Sequence, residues 1–181
     1  MQITEHRLKG LFEIQPKVFK DERGYFLESY NQKIFENYGL NMNFVQDNQS
    51  YSVQGVVRGL HMQKEPFAQG KLVRVVTGKA LDVVVDVRKH SPTFGQWASF
   101  VLDSELCNMV YVPPGFAHGF SALQNCIFSY KCTHVYDKAS ELGILWNDTS
   151  LHIDWQVPAP IVSEKDNVLL SFEEFKKINP F

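Results

Sequence analysis

Cysteine is scarce in this 181-residue chain: Cys107, Cys126 and Cys132 are the only three, and none is closely spaced with another. Neither a disulfide framework nor a cysteine-rich metal cluster can therefore organise the molecule. An odd count leaves one thiol unpaired in any scheme, which suits a reducing compartment, and all three read as small buried hydrophobes. No apolar run approaches the roughly 18–20 residues of a membrane span. The opening Met1-Gln2-Ile3-Thr4-Glu5-His6-Arg7 carries charge where a secretory signal would be apolar. The expectation is a cytoplasmic protein with no membrane partner. An excess of positive charge is also missing: eighteen Lys plus Arg stand against twenty Asp plus Glu, a formal charge of -2, so no basic surface exists for nucleic acid. An anionic ligand must be met by a few placed cations. Long linkers, internal repeats and low-complexity tracts are absent as well, and residues 1–181 are expected to form one domain.

What the chain does contain is strand. Between Val45 and Trp146 it breaks into short β-branched and aromatic segments separated by Gly, Pro, Asn or Asp, the pattern of many antiparallel strands in an all-β sandwich or barrel. In Ala80–Arg88, Val83, Val85 and Val87 share one face, while Asp82, Asp86 and Arg88 share the other with Val84 alone apolar; the strand has one dry and one wetter side. Gln46, Asn48, Ser50 and Ser52 likewise share a polar face, which suits either a cavity or solvent. Turns are expected at Thr77-Gly78, Ser91–Gly95 and Pro113-Pro114-Gly115. Helix signals lie outside the centre: Ile34, Phe35 and Tyr38 fall on one side before Gly39, and Ser171 with Glu174 reads as a capping box.

Two histidines stand beside glycines. His61 lies in Arg58-Gly59-Leu60-His61, where strict alternation would put Arg58 and His61 on opposite faces unless Gly59 marks a bulge that resets the register. His118 follows the proline-glycine turn in Pro114-Gly115-Phe116-Ala117-His118-Gly119. Such a pair in a β protein resembles the cupins, double-stranded β-helices whose metal-binding members use a His-x-His pair, a Glu and a later His. Here the first motif reads His61-Met62-Gln63, so a metal would lack its usual three protein ligands unless Gln63 or Glu65 joined. Metal dependence is the weaker reading, and both imidazoles are left for proton chemistry or hydrogen bonding.

Eight separate stretches narrow the resemblance. They are Phe19–Glu28, Phe44–Asn48, Arg58–His61, Gln69–Arg74, Ser91–Gly95, Pro114–Phe120, Gly143–Asp148 and Ser163–Asp166, in order across nearly the whole chain. Together they are similar to the dTDP-4-dehydrorhamnose 3,5-epimerase family of metal-free cupins. The resemblance implies a jelly-roll barrel with a few short peripheral helices, and a cofactor-free isomerase of dTDP-4-dehydro-6-deoxy-D-glucose that inverts carbons 3 and 5, the neighbours of the ketone. It implies His61 as base, oriented by Asp166, with Lys71 stabilising the enolate and Tyr130 returning a proton from the opposite face. It places Arg23 and Arg58 on the diphosphate, Glu28, Gln46, Asn48 and Tyr136 around the nucleotide, and His118 on the sugar or its phosphate side. It further implies a homodimer in which an N-terminal segment of about 1–30 reaches across, so that Arg23 serves the neighbouring pocket. Other readings of the pattern are a mono-epimerase or 3,4-ketoisomerase of a related dTDP-4-keto sugar, a non-catalytic nucleotide-sugar-binding cupin, and a metal-dependent cupin oxygenase.

Overall fold

The β-branched and aromatic segments of the centre do form strands. In the computed structural model, which describes residues 1–181, they build two facing sheets. In chain order the elements are β1 (Gln2–Glu5), β2 (Phe12–Gln15), β3 (Val18–Asp21), β4 (Gly24–Leu27), α1 (Gln32–Asn37), β5 (Gln46–Ser52), β6 (Val56–Gln63), β7 (Lys71–Thr77) and β8 (Lys79–Asp86). There follow β9 (Trp97–Asp103), β10 (Met109–Val112), β11 (Phe116–Ala122), β12 (Cys126–Cys132), β13 (Glu141–Gly143), β14 (Ile161–Val162), a 3-10 turn at Asp166–Val168 and α2 (Phe172–Ile178). One sheet runs β1-β2-β10-β7-β12-β5 and the other β13-β6-β11-β8-β9, with β14 alongside β6. From β5 to β8 the chain alternates between the sheets, as it does again from β9 to β12, which is the winding of a jelly-roll barrel. No helix is long and apolar enough to cross a membrane.

Three apolar clusters hold the layers together. Val73, Val75, Val84, Phe100, Val110, Phe116, Phe120 and Phe128 pack between the sheets. Val83, Val85 and Val87, the dry face of β8, point outward and are covered by Leu151, Trp155, Phe172 and Phe175 of the C-terminal segment. Phe35 and Leu40 cover Leu72, Met109 and Ile14 on the outside of the other sheet. Each fully buried side chain of this size contributes roughly 1.5–3 kcal/mol of transfer free energy. The wetter face of β8 is thus the inner one, with Asp82 and Asp86 wholly buried. Asp86 is clamped by Arg88, Ser91 and Thr93, which ties down the Ser91–Gly95 turn. Both expected helices are present, α1 capped by Asn31 and α2 by the reciprocal Ser171–Glu174 box. The three cysteines are buried and unpaired.

The expected bulge is at Gly59. His118 pairs with His61, yet Phe120 pairs with Arg58, so β6 carries one more residue than β11 over this interval. Gly59 has φ +132°, and a Cβ there would lie 2.6 Å from Gly119 Cα. Only glycine accepts both that conformation and that approach. Gly59→Ala is expected to destabilise the fold by about 3 kcal/mol, lowering the thermal midpoint by roughly 6–12 °C for a domain of this size. A scanning calorimetry trace matching the parent protein would contradict this account of the bulge.

Candidate active site

The bulge decides where β6 points its functional side chains. With the extra residue at Gly59, Arg58 and His61 both line a cavity of about 320 Å³ between the sheets, together with Lys71, His118, Tyr130 and Asp166. An adjoining recess of about 290 Å³ shares His61, Lys71 and Tyr130 and adds Gln46, Asn48, Tyr136 and Glu141. The polar face of β5 therefore looks into the cavity and not out to solvent. A groove of about 370 Å³ on the outside of the β5–β12–β7 sheet, lined by Asp47, Arg74 and Lys131, is larger than that recess but contains no imidazole.

His61 Nε2 lies 2.7 Å from Asp166 Oδ1 across 105 residues of sequence. The aspartate opens the 3-10 turn and is 4% exposed. Its Oδ2 accepts the Gly59 N–H at 3.3 Å, so the bulge that turns His61 inward also grips the carboxylate that orients it. Burial works to raise the Asp166 carboxyl, but the hydrogen bond and charge of His61, the Gly59 N–H and Ser163 outweigh it and hold the group below the ordinary carboxylate range. An ionised carboxylate on Nε2 keeps the ring hydrogen there and leaves the lone pair on Nδ1. His61 is still 30% exposed at its side chain, open to the cavity.

Lys71 and Tyr130 come from the opposite sheet. On β7 the parity of Lys71 is that of Val73 and Val75, which point inward, and on β12 Tyr130 follows the inward Phe128. Burial pushes the Lys71 ammonium down, opposed by Cys132, Asp82 and Glu141. Burial pushes the Tyr130 phenol up, Cys132 in the same direction and Arg58 against it, so the hydroxyl keeps its proton at neutral pH. Phe120 and Phe128, stacked with centroids 4.1 Å apart, form an apolar floor beside these groups. An imidazole–carboxylate pair on one sheet thus faces a phenol and an amine on the other.

The remaining expected residues divide. Arg58 is anchored through Nε to Ser52 Oγ at 3.2 Å with its fork at the cavity edge, and Gln46 accepts the Tyr136 N–H at 2.8 Å. Asn48 lies beside Gln46 at 3.0 Å, and His118 sits deep in the cavity with its Nε2 2.6 Å from Asp82 Oδ1. Arg23 and Glu28 do not join them in this chain. Arg23 is 83% exposed at the turn of the β3–β4 hairpin, paired with Asp21, and Glu28 accepts from Asn31 Nδ2 at 3.0 Å. Gln63 donates to the Phe67 and Val135 carbonyls and accepts the Asp137 N–H, so its amide is fully used in holding the chain beyond β6.

Three groups at the site escaped sequence reasoning. Glu141 accepts from Lys165 at 2.6 Å and from the Tyr136 hydroxyl at 3.0 Å, forming a charged rim over the recess. Nothing local marks either residue of that ion pair, since they lie 24 positions apart. Asp82, the partner of His118, had a signal in the wetter face of β8, but parity alone does not name the histidine it meets.

The family model for dTDP-4-dehydrorhamnose 3,5-epimerase matches residues 5–174. A dTDP-4-dehydrorhamnose 3,5-epimerase of Shigella flexneri is 50% identical over 168 residues, covering 92% of this chain and 93% of the relative. The crystal structure of a dTDP-6-deoxy-D-glucose-3,5-epimerase from Legionella pneumophila in complex with dTDP-4-keto-L-rhamnose superposes with a TM-score of 0.91 at 43% identity, over 95% of this chain and 93% of that one. A 3'-monoepimerase from Streptomyces bikiniensis in complex with dTDP-quinovose also has a TM-score of 0.91, but at 29% identity, over 98% and 91% of the two chains. With a matching family model over most of its length and a relative of half-identical sequence, the chain belongs to the dTDP-4-dehydrorhamnose 3,5-epimerase family.

Proposed function

We propose that the protein is an isomerase that converts dTDP-4-dehydro-6-deoxy-D-glucose to dTDP-4-dehydro-L-rhamnose by inverting carbons 3 and 5. The observation that carries this reading is the His61–Asp166 pair at 2.7 Å on one sheet, sharing a cavity with Tyr130 and Lys71 from the other. Both carbons flank the ketone, so their protons are acidic once the carbonyl oxygen is stabilised. His61 takes the proton through Nδ1, and Asp166 stabilises the imidazolium as it forms. The Lys71 ammonium meets the enolate oxygen. Tyr130 then delivers a proton from the far side, which inverts the carbon. Once His61 has released its proton to solvent and Tyr130 has regained one from it, the same groups serve the second carbon, and the chemistry calls for no cofactor.

Around this centre, the Arg58 guanidinium suits the diphosphate, while Gln46, Asn48 and Tyr136 suit the nucleotide side and His118 the sugar. Residues 1–181 work as one unit, since the C-terminal segment supplies Asp166 to a site built on central strands. The β3–β4 hairpin leaves Phe19, Tyr25 and Phe26 more than half exposed with Arg23 at its turn, an apolar arm suited to a second copy. In the resulting homodimer Arg23 and Glu28 reach the partner's nucleotide. Three unpaired buried cysteines fit work in the cytoplasm.

Incubation with dTDP-4-dehydro-6-deoxy-D-glucose in deuterated water, followed by proton NMR, tests the reading. Deuterium at carbons 3 and 5 with inversion of both is the expected result. Label and inversion at one carbon would make the protein a mono-epimerase, which the lower identity to the Streptomyces enzyme disfavours. A relocated carbonyl, or tight binding without exchange, would overturn the proposal.

A further inference from the structure

The cavity holds a second imidazole–carboxylate pair, whose carboxylate the reaction above leaves without a task. His118 is the register partner of His61, and its Nε2 lies 2.6 Å from Asp82 Oδ1, so two dyads stand side by side on β6 and β11. Unlike the Asp166 carboxylate, which accepts from His61 and Gly59, the Asp82 carboxylate has one bond only. The residue is wholly buried, and its Oδ2 has no hydrogen-bond partner. A bare carboxylate oxygen inside a barrel is costly unless a nearby cation compensates it.

That cation is Lys71. It lines the same cavity as His118, the hydrogen-bond partner of Asp82, and forms no ion pair of its own. The other groups facing it are committed elsewhere. Glu141 on β13 is bound by Lys165 and Tyr136, and Asp166 by His61. Arg58 on β6 is a like charge, and burial pushes Tyr130 and Cys132 on β12 toward their uncharged forms. Asp82 is left as the buried anion with an open lone pair, and its charge works against the desolvation of the Lys71 ammonium.

We infer that Asp82 is a positioning residue for the reaction: its buried carboxylate, fixed at one oxygen by His118, keeps Lys71 in the charged form that the enolate requires. The inference rests on the role given to Lys71 above. Asp82 touches no substrate. Its effect is electrostatic and reaches the reacting oxygen only through the lysine.

Asp82→Asn keeps the shape and an acceptor for His118 while removing the charge, so it preserves the barrel better than an apolar replacement; circular dichroism and dTDP affinity monitor that. Turnover of dTDP-4-dehydro-6-deoxy-D-glucose at neutral pH is expected to fall about tenfold, as the cation facing the enolate oxygen is weakened, with KM and dTDP affinity little changed. The alkaline limb of the kcat–pH profile moves to lower pH, because the uncompensated ammonium loses its proton sooner. In combination with Lys71→Met, Asp82→Asn adds no further loss. Full turnover in Asp82→Asn, an unmoved alkaline limb, or losses that multiply in the double variant would each overturn the inference. Undiminished turnover in Lys71→Met alone would instead remove the role of the lysine on which it rests. Should Asp82→Asn fail to fold, His118→Asn leaves the carboxylate in place and is expected to retain the wild-type alkaline limb; a limb displaced as far as in Lys71-targeted loss of charge would overturn the inference.

Discussion

His61→Ala is expected to abolish hydrogen exchange at both carbons beside the ketone and to reduce turnover by about 10²–10⁴-fold, the usual contribution of a positioned general base. The magnitude follows from what is left behind. Asp166, buried and below the ordinary carboxylate range, is a weak base, and it loses its imidazole bond while keeping the Gly59 N–H. Tyr130 is held in its protonated form by burial and cannot substitute. Lys71 lies across the cavity on the opposite sheet. The other imidazole on the His61 side, His118, is bound by Asp82 and assigned to the sugar's polar groups, so the substrate is held but not deprotonated. Affinity for dTDP is expected to change little, because the nucleotide-side groups Gln46, Asn48 and Tyr136 do not depend on the imidazole. Proton NMR in deuterated water reads the outcome directly, and retained exchange at either carbon would take the base role away from His61.

Tyr130→Phe separates deprotonation from inversion. The phenylalanine ring keeps the contacts that the tyrosine ring makes with Phe128, 6.3 Å away between centroids, so the barrel wall is preserved while the hydroxyl is lost. On the proposed mechanism His61 still removes the proton and Lys71 still holds the enolate. Only the opposite face lacks its donor, and the enolate is most often reprotonated by the imidazolium that took its hydrogen. The variant is expected to form inverted product about 10²-fold more slowly than the parent, the typical yield of one general acid. Washout of label into recovered, uninverted substrate should continue. A ratio of washout to inversion equal to that of the parent enzyme would show that the phenol is not the second proton carrier.

Much of this arrangement is legible in sequence, for reasons particular to certain residues. A glycine between an arginine and a histidine in a strand marks a bulge because no other residue tolerates the backbone there, and Gly59 indeed sits at the register shift. Lys71 shares parity with Val73 and Val75, which fits a wet pocket or a charged edge strand, and only the family resemblance points to the cavity. The Ser171–Glu174 box needs only four consecutive residues, and it caps α2 as expected. Parity fails where it has two acceptable answers. The polar face of β5 and the wetter face of β8 fit solvent or cavity equally well, and both turn inward. The double burial of β8 depends on Trp155, Phe172 and Phe175, which arrive from far along the chain to cover the face that would otherwise be outside. Pairings such as Asp82 with His118, or Glu141 with Lys165, depend on that three-dimensional closure and leave no spacing to read.

The position of Asp166 has a temporal consequence. All fourteen strands precede it in the chain, so a polypeptide still emerging from the ribosome, or clipped behind Val162, can carry every strand of the barrel and yet lack the carboxylate that pairs with His61. On the proposed mechanism competence therefore waits for Asp166: a molecule stopped short of it holds its histidine without the partner that orients it, and only a chain extended past that residue is armed.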